Sequence, residues 1–144
     1  MNKVATPEQT FLGTGWSFPP TFLRRSCTVA MVSGVVDVRE SLWILLSTMK
    51  GERIMLPTYG CDIWRMVFQG INTTLIGQVE HMVANAILNW EPRVTVDNVV
   101  ASVRPGAVGI LDIGIDYIIR TTNSRSNLVY PFYLEEGTIP PVEP

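Results

Sequence analysis

The spacing of apolar residues changes from helical to alternating about two thirds of the way along the chain. Residues 73–90 carry apolar side chains three and four positions apart, which predicts a long amphipathic helix. Asn72 or Thr73 is suited to cap this helix, and Pro92 ends it because the residue before a proline is pushed out of the helical region. Its predicted buried stripe consists of Leu75, Val79, Met82, Val83, Ala86, Ile87 and Trp90.

A shorter helix is predicted at about residues 38–49. Asp37 and Glu40 stand at the spacing of a capping box at its start. A short apolar helix or turn follows at about residues 61–69. The apolar positions of the first helix are Val38, Leu42, Leu45 and Met49.

Beyond residue 93 apolar and polar residues alternate, which predicts strands at 94–103, 108–120 and 128–134. The turn before the third strand is predicted at residues 123–127. Pro131 has no N–H for a ladder, so that strand is expected to lie at an edge or to carry a bulge. Helices followed by strands predict an α+β fold, with two or three helices on a small, mostly antiparallel sheet. The second strand has a buried face of Leu111, Ile113, Ile115, Tyr117 and Ile119.

The first 35 residues predict an irregular N-terminal arm. Glycines and prolines separate its aromatic residues, and a disordered tail would rarely carry so many aromatics. The arm is therefore expected to lie against its own domain or a neighbouring subunit. The predicted organisation is an arm at 1–35, an α+β domain at 36–136 and an extended C-terminal tail at 137–144.

Composition narrows the classes of function. With 144 residues the chain matches one domain, and its net charge of −2 with scattered basic residues argues against nucleic acid as the main partner. No apolar segment reaches the roughly 18 residues of a membrane span, and the first residues lack the pattern of a signal peptide. Synthesis in a bacterial cytoplasm is expected, with Cys27 and Cys61 as reduced thiols.

The sequence offers few groups for catalysis or for a cofactor. His81 is the only histidine, and the residues one helical turn away supply no set of metal ligands. The same histidine would have to activate either cysteine. Gly13-Thr14-Gly15 lacks the lysine and the following helix of a phosphate-binding loop. No metal, cofactor or catalytic residue is predicted.

The remaining candidates for catalysis are pairs of carboxylates, because two of them suffice for glycoside hydrolysis. Asp112 and Asp116 share a strand face, but four residues of strand separate them by roughly 13 Å. Glycoside hydrolysis uses a separation of roughly 5–9.5 Å. Glu135 and Glu136 are adjacent, so in an extended segment they point to opposite sides. The sequence leaves open a catalytic pair of carboxylates that come from distant positions in the chain.

Glu91 stands out because it follows a helix C-terminus, where the macrodipole disfavours an anion. Arg93 or Arg53 could supply a cationic partner, and Pro92 stiffens the backbone between Glu91 and Arg93. One interpretation is an intradomain ion pair that fixes the corner between helix and strand. The other is a rigid charged corner presented to another subunit. The two are compatible.

Three segments, at residues 11–20, 51–61 and 90–94, carry a resemblance to a known family. They read Gly-Thr-Gly-Trp-x-Phe-Pro, Gly-Glu-Arg…Pro-x-Tyr-Gly-Cys and Glu-Pro-Arg, and residues 127–132 also fit. Together they resemble the baseplate wedge proteins of contractile phage tails, a family often called phage lysozyme-like that includes the TssE subunit of type VI secretion. The resemblance runs from about Phe11 to Leu134.

The resemblance implies a non-enzymatic sheath initiator, a baseplate protein on which the first ring of sheath subunits assembles. Expected partners are the sheath protein and baseplate wedge proteins, with tube or spike-hub proteins as further candidates, in several copies on sixfold symmetry. Neither nucleic acid nor a membrane is expected as a partner. The particle could be a phage tail, a tailocin, an extracellular injection particle or a type VI apparatus. Alternatives are a baseplate-associated peptidoglycan hydrolase and a free-standing peptide-binding module.

The family associates the Glu-Pro-Arg corner with baseplate contacts. We further predict that the sheet of residues 94–134 offers an edge to an arm of a sheath subunit, because an unpaired edge can accept a strand from another chain. The candidate protein-interaction residues are Glu91, Pro92, Arg93, Glu52, Arg53, Trp16, Tyr130, Phe132 and Tyr133.

Overall fold

The computed structural model describes residues 12–66 and 69–134. Two α-helices and a three-stranded antiparallel sheet form the body of the protein, which confirms the predicted α+β fold. Within the described ranges no helix is both long enough and apolar enough to cross a bilayer. The elements are β1 (Thr14–Trp16), β2 (Phe22–Leu23), β3 (Thr28–Val29), β4 (Met31–Ser33), α1 (Val35–Ser47), a 3-10 helix (Asp62–Met66), α2 (Thr73–Trp90), β5 (Val94–Val103), β6 (Ile110–Ile119) and β7 (Ser124–Tyr133).

The N-terminal segment is more regular than the sequence predicts. β1 pairs with β4 and β2 pairs with β3, both antiparallel, so the described part of the predicted irregular arm contains two small strand pairs. Strands of two or three residues are too short to produce a visible alternation in sequence. Residues 1–11 of the arm and the predicted tail at 137–144 lie outside the described residues.

α1 begins earlier than predicted and is not capped by a side chain. Gly34, with a φ of 68°, occupies the N-cap position, and no side-chain hydrogen bond caps the helix. The predicted capping box is therefore wrong, because Asp37 accepts a hydrogen bond from Arg93 and Glu40 accepts one from the Phe18 N–H. The helix ends at Ser47, which leaves Met49 beyond it and 49% exposed.

α2 matches its prediction. The Asn72 side chain accepts a hydrogen bond of 2.7 Å from the Leu75 N–H and caps the helix. Glu91 is the C-cap residue, immediately before Pro92. Five of the seven predicted stripe positions are buried, while Met82 and Trp90 are partly buried against the core.

The sheet has the order β5-β6-β7, with neighbouring strands antiparallel. β6 alternates as predicted and buries its five odd-numbered apolar residues between Leu111 and Ile119. β7 starts at Ser124, earlier than predicted, because Asn123 adopts a left-handed conformation (φ 51°) that closes the turn before it. β7 lies at an edge of the sheet, which confirms the expectation for Pro131.

The helices cover one face of the sheet. Trp43 of α1 packs edge-on against Tyr130, with ring centroids 4.9 Å apart, and Trp64 packs edge-on against Phe132 at 5.4 Å. The Trp64 indole N–H donates to the Leu46 carbonyl oxygen at 3.0 Å. The predicted interaction residues lie around the C-terminal end of α2, in the arm and on the sheet.

Candidate functional site

The three segments singled out by sequence converge at the C-terminal end of α2. Arg93 donates a hydrogen bond of 2.9 Å to the carbonyl oxygen of Leu12, which joins the third segment to the arm. Tyr59 packs edge-on against Trp90 at 5.3 Å between ring centroids, which joins the second segment to the third. We call this region, centred on Glu91 and Arg93, the corner.

Arg93 satisfies most of its donors inside the protein. Its Nε donates to Glu91 Oε1 at 2.7 Å and its Nη2 donates to Glu91 Oε2 at 2.9 Å. This is a bidentate ion pair, which suits the planar guanidinium group. Its Nη1 also donates to Asp37 Oδ2 at 2.6 Å. One side chain therefore connects the first turn of α1, the end of α2 and the arm.

Glu91 is a buried carboxylate, only 3% exposed. Burial would raise the pKa of Glu91, but hydrogen bonds from Arg93 and Ser41, together with the Arg93 charge, lower it below its usual value. The Ser41 Oγ donates at 2.6 Å. The charge that the helix dipole disfavours is thus compensated, and the intradomain ion pair predicted from sequence is present.

Arg53 does not take part in that pair. Its guanidinium carbon lies 4.2 Å from the centre of the Tyr59 ring, in a cation–π arrangement. Glu52 accepts a hydrogen bond of 3.0 Å from the Met49 N–H and closes the start of the same loop. Pro92 is exposed between Glu91 and Arg93. The exposed part of the corner is therefore Pro92, Glu52 and Arg53, while Glu91 lies beneath it.

The arm is fastened to α1 next to the corner. The Phe18 N–H donates to Glu40 Oε2 at 2.9 Å. A Cβ on Gly15 would lie 2.5 Å from Asp37 Oδ1, so a larger residue there would require the Asp37 side chain to shift. Trp16, 60% exposed, pairs across the strands with exposed Met31.

Two predicted interaction residues lie in the core instead of at the surface. The side chains of Tyr130 and Phe132 are fully buried, because even-numbered residues of β7 face the helices. The Tyr130 hydroxyl lies 3.1 Å from Ser47 Oγ, and burial raises its pKa to about 12. Tyr133 is half-buried. These side chains therefore pack into the core that supports the sheet instead of facing a partner.

Among residues 12–66 and 69–134, none makes a hydrogen bond to the outward main-chain groups of β7. The Leu134 N–H donates to the Gly109 carbonyl oxygen at 2.7 Å, which shows that even-numbered residues direct their main-chain groups toward β6. Odd-numbered residues, including Asn127 and Val129, consequently direct theirs away from the sheet. Pro131 contributes only a carbonyl there. The sequence indicated this edge only through Pro131.

The opposite edge, formed by β5, is partly closed. The outward N–H of Ala101 donates to Glu80 Oε1 of α2 at 2.9 Å. The register between β5 and β6 shifts between Val96 and Asn98, a bulge that interrupts regular pairing at this edge. Glu80 was not identified from sequence, because a lone glutamate on the polar side of a helix carries no local signal.

The described carboxylates are engaged in structural contacts. Asp112 forms a two-pronged pair with Arg104 at 3.0 and 2.7 Å, and Asp116 accepts a hydrogen bond from Asn127. The lowered pKa of Glu91 is the opposite of what a general acid requires. Glu135 and Glu136 lie outside the described residues.

The remaining reactive side chains are one histidine and two cysteines. His81 is exposed and bonded to Asn85 at 2.9 Å, and the part of the chain that the structure describes contains no cluster of three metal-ligating residues. Cys27 is exposed and Cys61 is buried, which raises the pKa of the Cys61 thiol to about 11.

Comparison with known proteins agrees with this architecture. A family model described as baseplate wedge protein gp25 matches residues 32–124. The gp25 protein of Enterobacteria phage T4 is 31% identical over 61 residues, which cover 42% of this chain and 46% of that protein. The alignment thus spans about half the length of this curated relative.

Two solved structures are also similar. A Geobacter sulfurreducens protein named as a proposed tail lysozyme is 50% identical, with a TM-score of 0.65 over 71% of this chain and 92% of that one. A chain in the sixfold-symmetrised baseplate of the anti-feeding prophage is 29% identical, with a TM-score of 0.73 over 78% of this chain and 89% of that one.

Proposed function

The chain belongs to the family of the baseplate wedge protein gp25, and from this membership we propose that it is a structural baseplate component that initiates the sheath. In this proposal a segment of the first sheath subunit adds to β7 as a further strand. The rest of the protein links that sheath to the wedge. The relatives with a stated location, gp25 and the anti-feeding prophage chain, are baseplate proteins, which supports a place in a contractile tail.

The observation that carries the proposal is the difference between the two sheet edges. The outward main-chain groups of β7 have no partner in the part of the chain that the structure describes, whereas β5 is interrupted by a bulge and its Ala101 N–H is bonded to Glu80. An incoming strand can use the outward groups of β7 except for the missing N–H of Pro131, whereas on β5 it meets both the bulge and the Ala101 N–H that Glu80 already binds. We therefore assign the receiving edge to β7.

The corner is proposed to face the wedge proteins. The bonds of Arg93 and Glu40 fasten the arm that carries Trp16. The exposed Glu52 is bonded to the Met49 N–H, and the exposed Arg53 stacks on Tyr59. Aromatic and arginine side chains are enriched at the centres of protein interfaces. Tube or spike-hub proteins are further candidates for this surface, and the sixfold baseplate of the anti-feeding prophage suggests several copies per particle.

Proline substitution at the β7 edge tests strand addition. Val129→Pro removes an outward N–H without removing a bond to β6, and Pro131 shows that this strand accommodates proline. Sheath assembly on isolated baseplates containing the variant is expected to fall at least about tenfold, because one main-chain hydrogen bond is lost and the incoming strand meets the proline ring. Sheath length and yield are measured by negative-stain electron microscopy.

Val103→Pro is the matched control on β5. Val103 is 43% exposed and Val129 is 51% exposed, and both direct their N–H away from β6. The control is expected to assemble sheath normally, with both variants folded by circular dichroism. Normal sheath on Val129→Pro baseplates would rule out strand addition at β7, and loss of sheath with Val103→Pro alone would reassign the edge.

A further inference from the structure

Two tryptophans lie against the helix-facing side of the edge strand β7. Trp43 of α1 packs on Tyr130, and Trp64 of the 3-10 helix packs on Phe132, with the ring centroids 4.9 and 5.4 Å apart. Both tryptophans contact the core, yet both are only partly buried. We call Trp43 and Trp64 the tryptophan pair.

The tryptophan pair lies on the β7 side of the sheet. β6 is the central strand and α2 lies against β5, so the rings that contact Tyr130 and Phe132 stand over the opposite margin. The helix-facing residues beneath are at most 1% exposed, from Leu111 to Ile119 in β6 and from Leu128 to Phe132 in β7. A strand added to β7 would lie roughly 4.8 Å further out. Its helix-facing side chains would then come beside the two rings.

The tryptophan pair is held in place before any strand arrives. The Trp64 indole N–H donates to the Leu46 carbonyl oxygen at 3.0 Å, and Trp43 projects from the middle of α1. The Tyr130 hydroxyl, 3.1 Å from Ser47 Oγ, fixes the ring on which Trp43 packs. Rigid aromatic side chains lose little conformational entropy when they are covered, and tryptophan is enriched among residues that dominate binding.

The other face of β7 is chemically different. Arg125 carries a side chain that is 79% exposed and lies 3.9 Å from Asp97, and the Asn127 side chain is bonded to Asp116. Val129 is half-exposed between these polar positions and Pro131. This face of the antiparallel sheet is open to water, so side chains of an added strand on this face would stay solvated.

We propose that the strand received by β7 is amphipathic, with an apolar series of alternate residues that packs on Trp43 and Trp64. The proposal rests on the strand addition proposed above and adds the selectivity of that site. Main-chain hydrogen bonds form with almost any sequence, whereas the side chains on alternate positions decide which segment is bound. The tryptophan pair is thereby assigned as the feature that selects the segment.

Peptide binding tests the apolar series with the wild-type protein. Overlapping synthetic peptides that cover the sheath subunit of the same particle are titrated into the protein. The β7 ligand is the peptide that binds the wild type and Val103→Pro but not Val129→Pro. Each of its two alternating sets of residues is then replaced by threonine, which keeps the strand propensity. Replacing the apolar set is expected to weaken binding at least about tenfold more than replacing the other set. Equal losses from the two sets overturn the proposal.

Fluorine NMR of the protein labelled with fluorotryptophan locates the contact. The chain has four tryptophans, and Trp16 in the arm and Trp90 at the corner serve as internal controls. The peptide is expected to shift the signals of Trp43 and Trp64 and to leave the two controls unchanged. Unshifted signals from Trp43 and Trp64 at saturation overturn the proposal without touching strand addition. Failure to find any peptide whose binding depends on Val129 would instead count against strand addition itself, so the two failures are distinguishable.

Discussion

The corner and the β7 edge differ in where their polar groups find partners. At the corner, Glu91 is bonded to both Arg93 and Ser41, and Arg93 also reaches Asp37 and the arm. Along β7, the odd-numbered residues direct main-chain donors and acceptors away from the protein. Glu91 and Arg93, the charged residues most conspicuous in sequence, therefore bind to groups within the protein. At the β7 edge, the groups that face outward are main-chain donors and acceptors.

The comparison assigns different roles to the two regions: the buried side chains of the corner position the surface around them, and the β7 edge offers its backbone for binding. The side chains of Glu91 and Arg93 fix the angle between α2 and β5 and fasten the arm, so that the exposed residues around them are presented in one arrangement. The edge needs no such side chains, because its geometry follows from the pairing of β7 with β6. A change at the corner is thus expected to act through folding, and a change at the edge through assembly.

The largest effect is expected from removing the cation at the corner. Arg93→Ala leaves the buried Glu91 carboxylate without its main partner and should lower the free energy of unfolding by about 3–5 kcal/mol. Urea denaturation followed by circular dichroism measures the loss. Arg24→Ala, at an exposed position, is the control and should change stability by less than about 0.5 kcal/mol. Similar small changes in both variants would mean that the corner does not stabilise the fold.

Lowering the pH is expected to reduce the free energy of unfolding by a smaller amount. Because the pKa of Glu91 is lower in the folded protein than its usual value of 4.5, the unfolded chain binds the proton more readily. The stabilisation is complete above pH 4.5 and is lost as the pH falls through the folded pKa. Denaturation curves between pH 6 and pH 3 should show this decline, and Glu91→Gln should reduce its slope. An unchanged slope in the variant would assign the acid sensitivity to other carboxylates.

The smallest effect on stability is expected at the edge. Val129→Lys places a charge on an exposed, outward position of β7 and should alter the free energy of unfolding by less than about 0.5 kcal/mol. Thermal melting of the isolated protein measures the change. A loss of more than about 1 kcal/mol would show that this position is packed in the free protein, contrary to the contrast drawn between corner and edge.

The elements predicted best from sequence are those whose signals are local. α2 has its cap at Asn72 and a continuous apolar stripe, and β6 alternates without interruption. The start of α1 was missed because Asp37 is engaged by Arg93, 56 residues away, so its role as a cap could not be judged locally. The start of β7 was missed because a polar run reads as a turn until Asn123 is seen to close it.

For the candidate site, the sequence identified which segments come together more reliably than it identified which of their side chains are exposed. Glu91 and Arg93 were found, and their ion pair was anticipated, but the burial of Tyr130 and Phe132 was not. Alternation alone does not say which face of a lone edge strand is covered. Ile54 and Met55 lie in the 51–61 segment that the sequence singled out, but only the fold shows that they are exposed.

Pro131 has a consequence for the protein before it enters a particle. Two free copies that met edge to edge along β7 would each lack the Pro131 donor, so a symmetric pair whose ladder includes that residue would lose two hydrogen bonds. A foreign segment can place a bulge, or the end of its own pairing, opposite that residue and lose none. Pro131 therefore disfavours symmetric pairing of two copies more than it disfavours the heterologous strand that we propose.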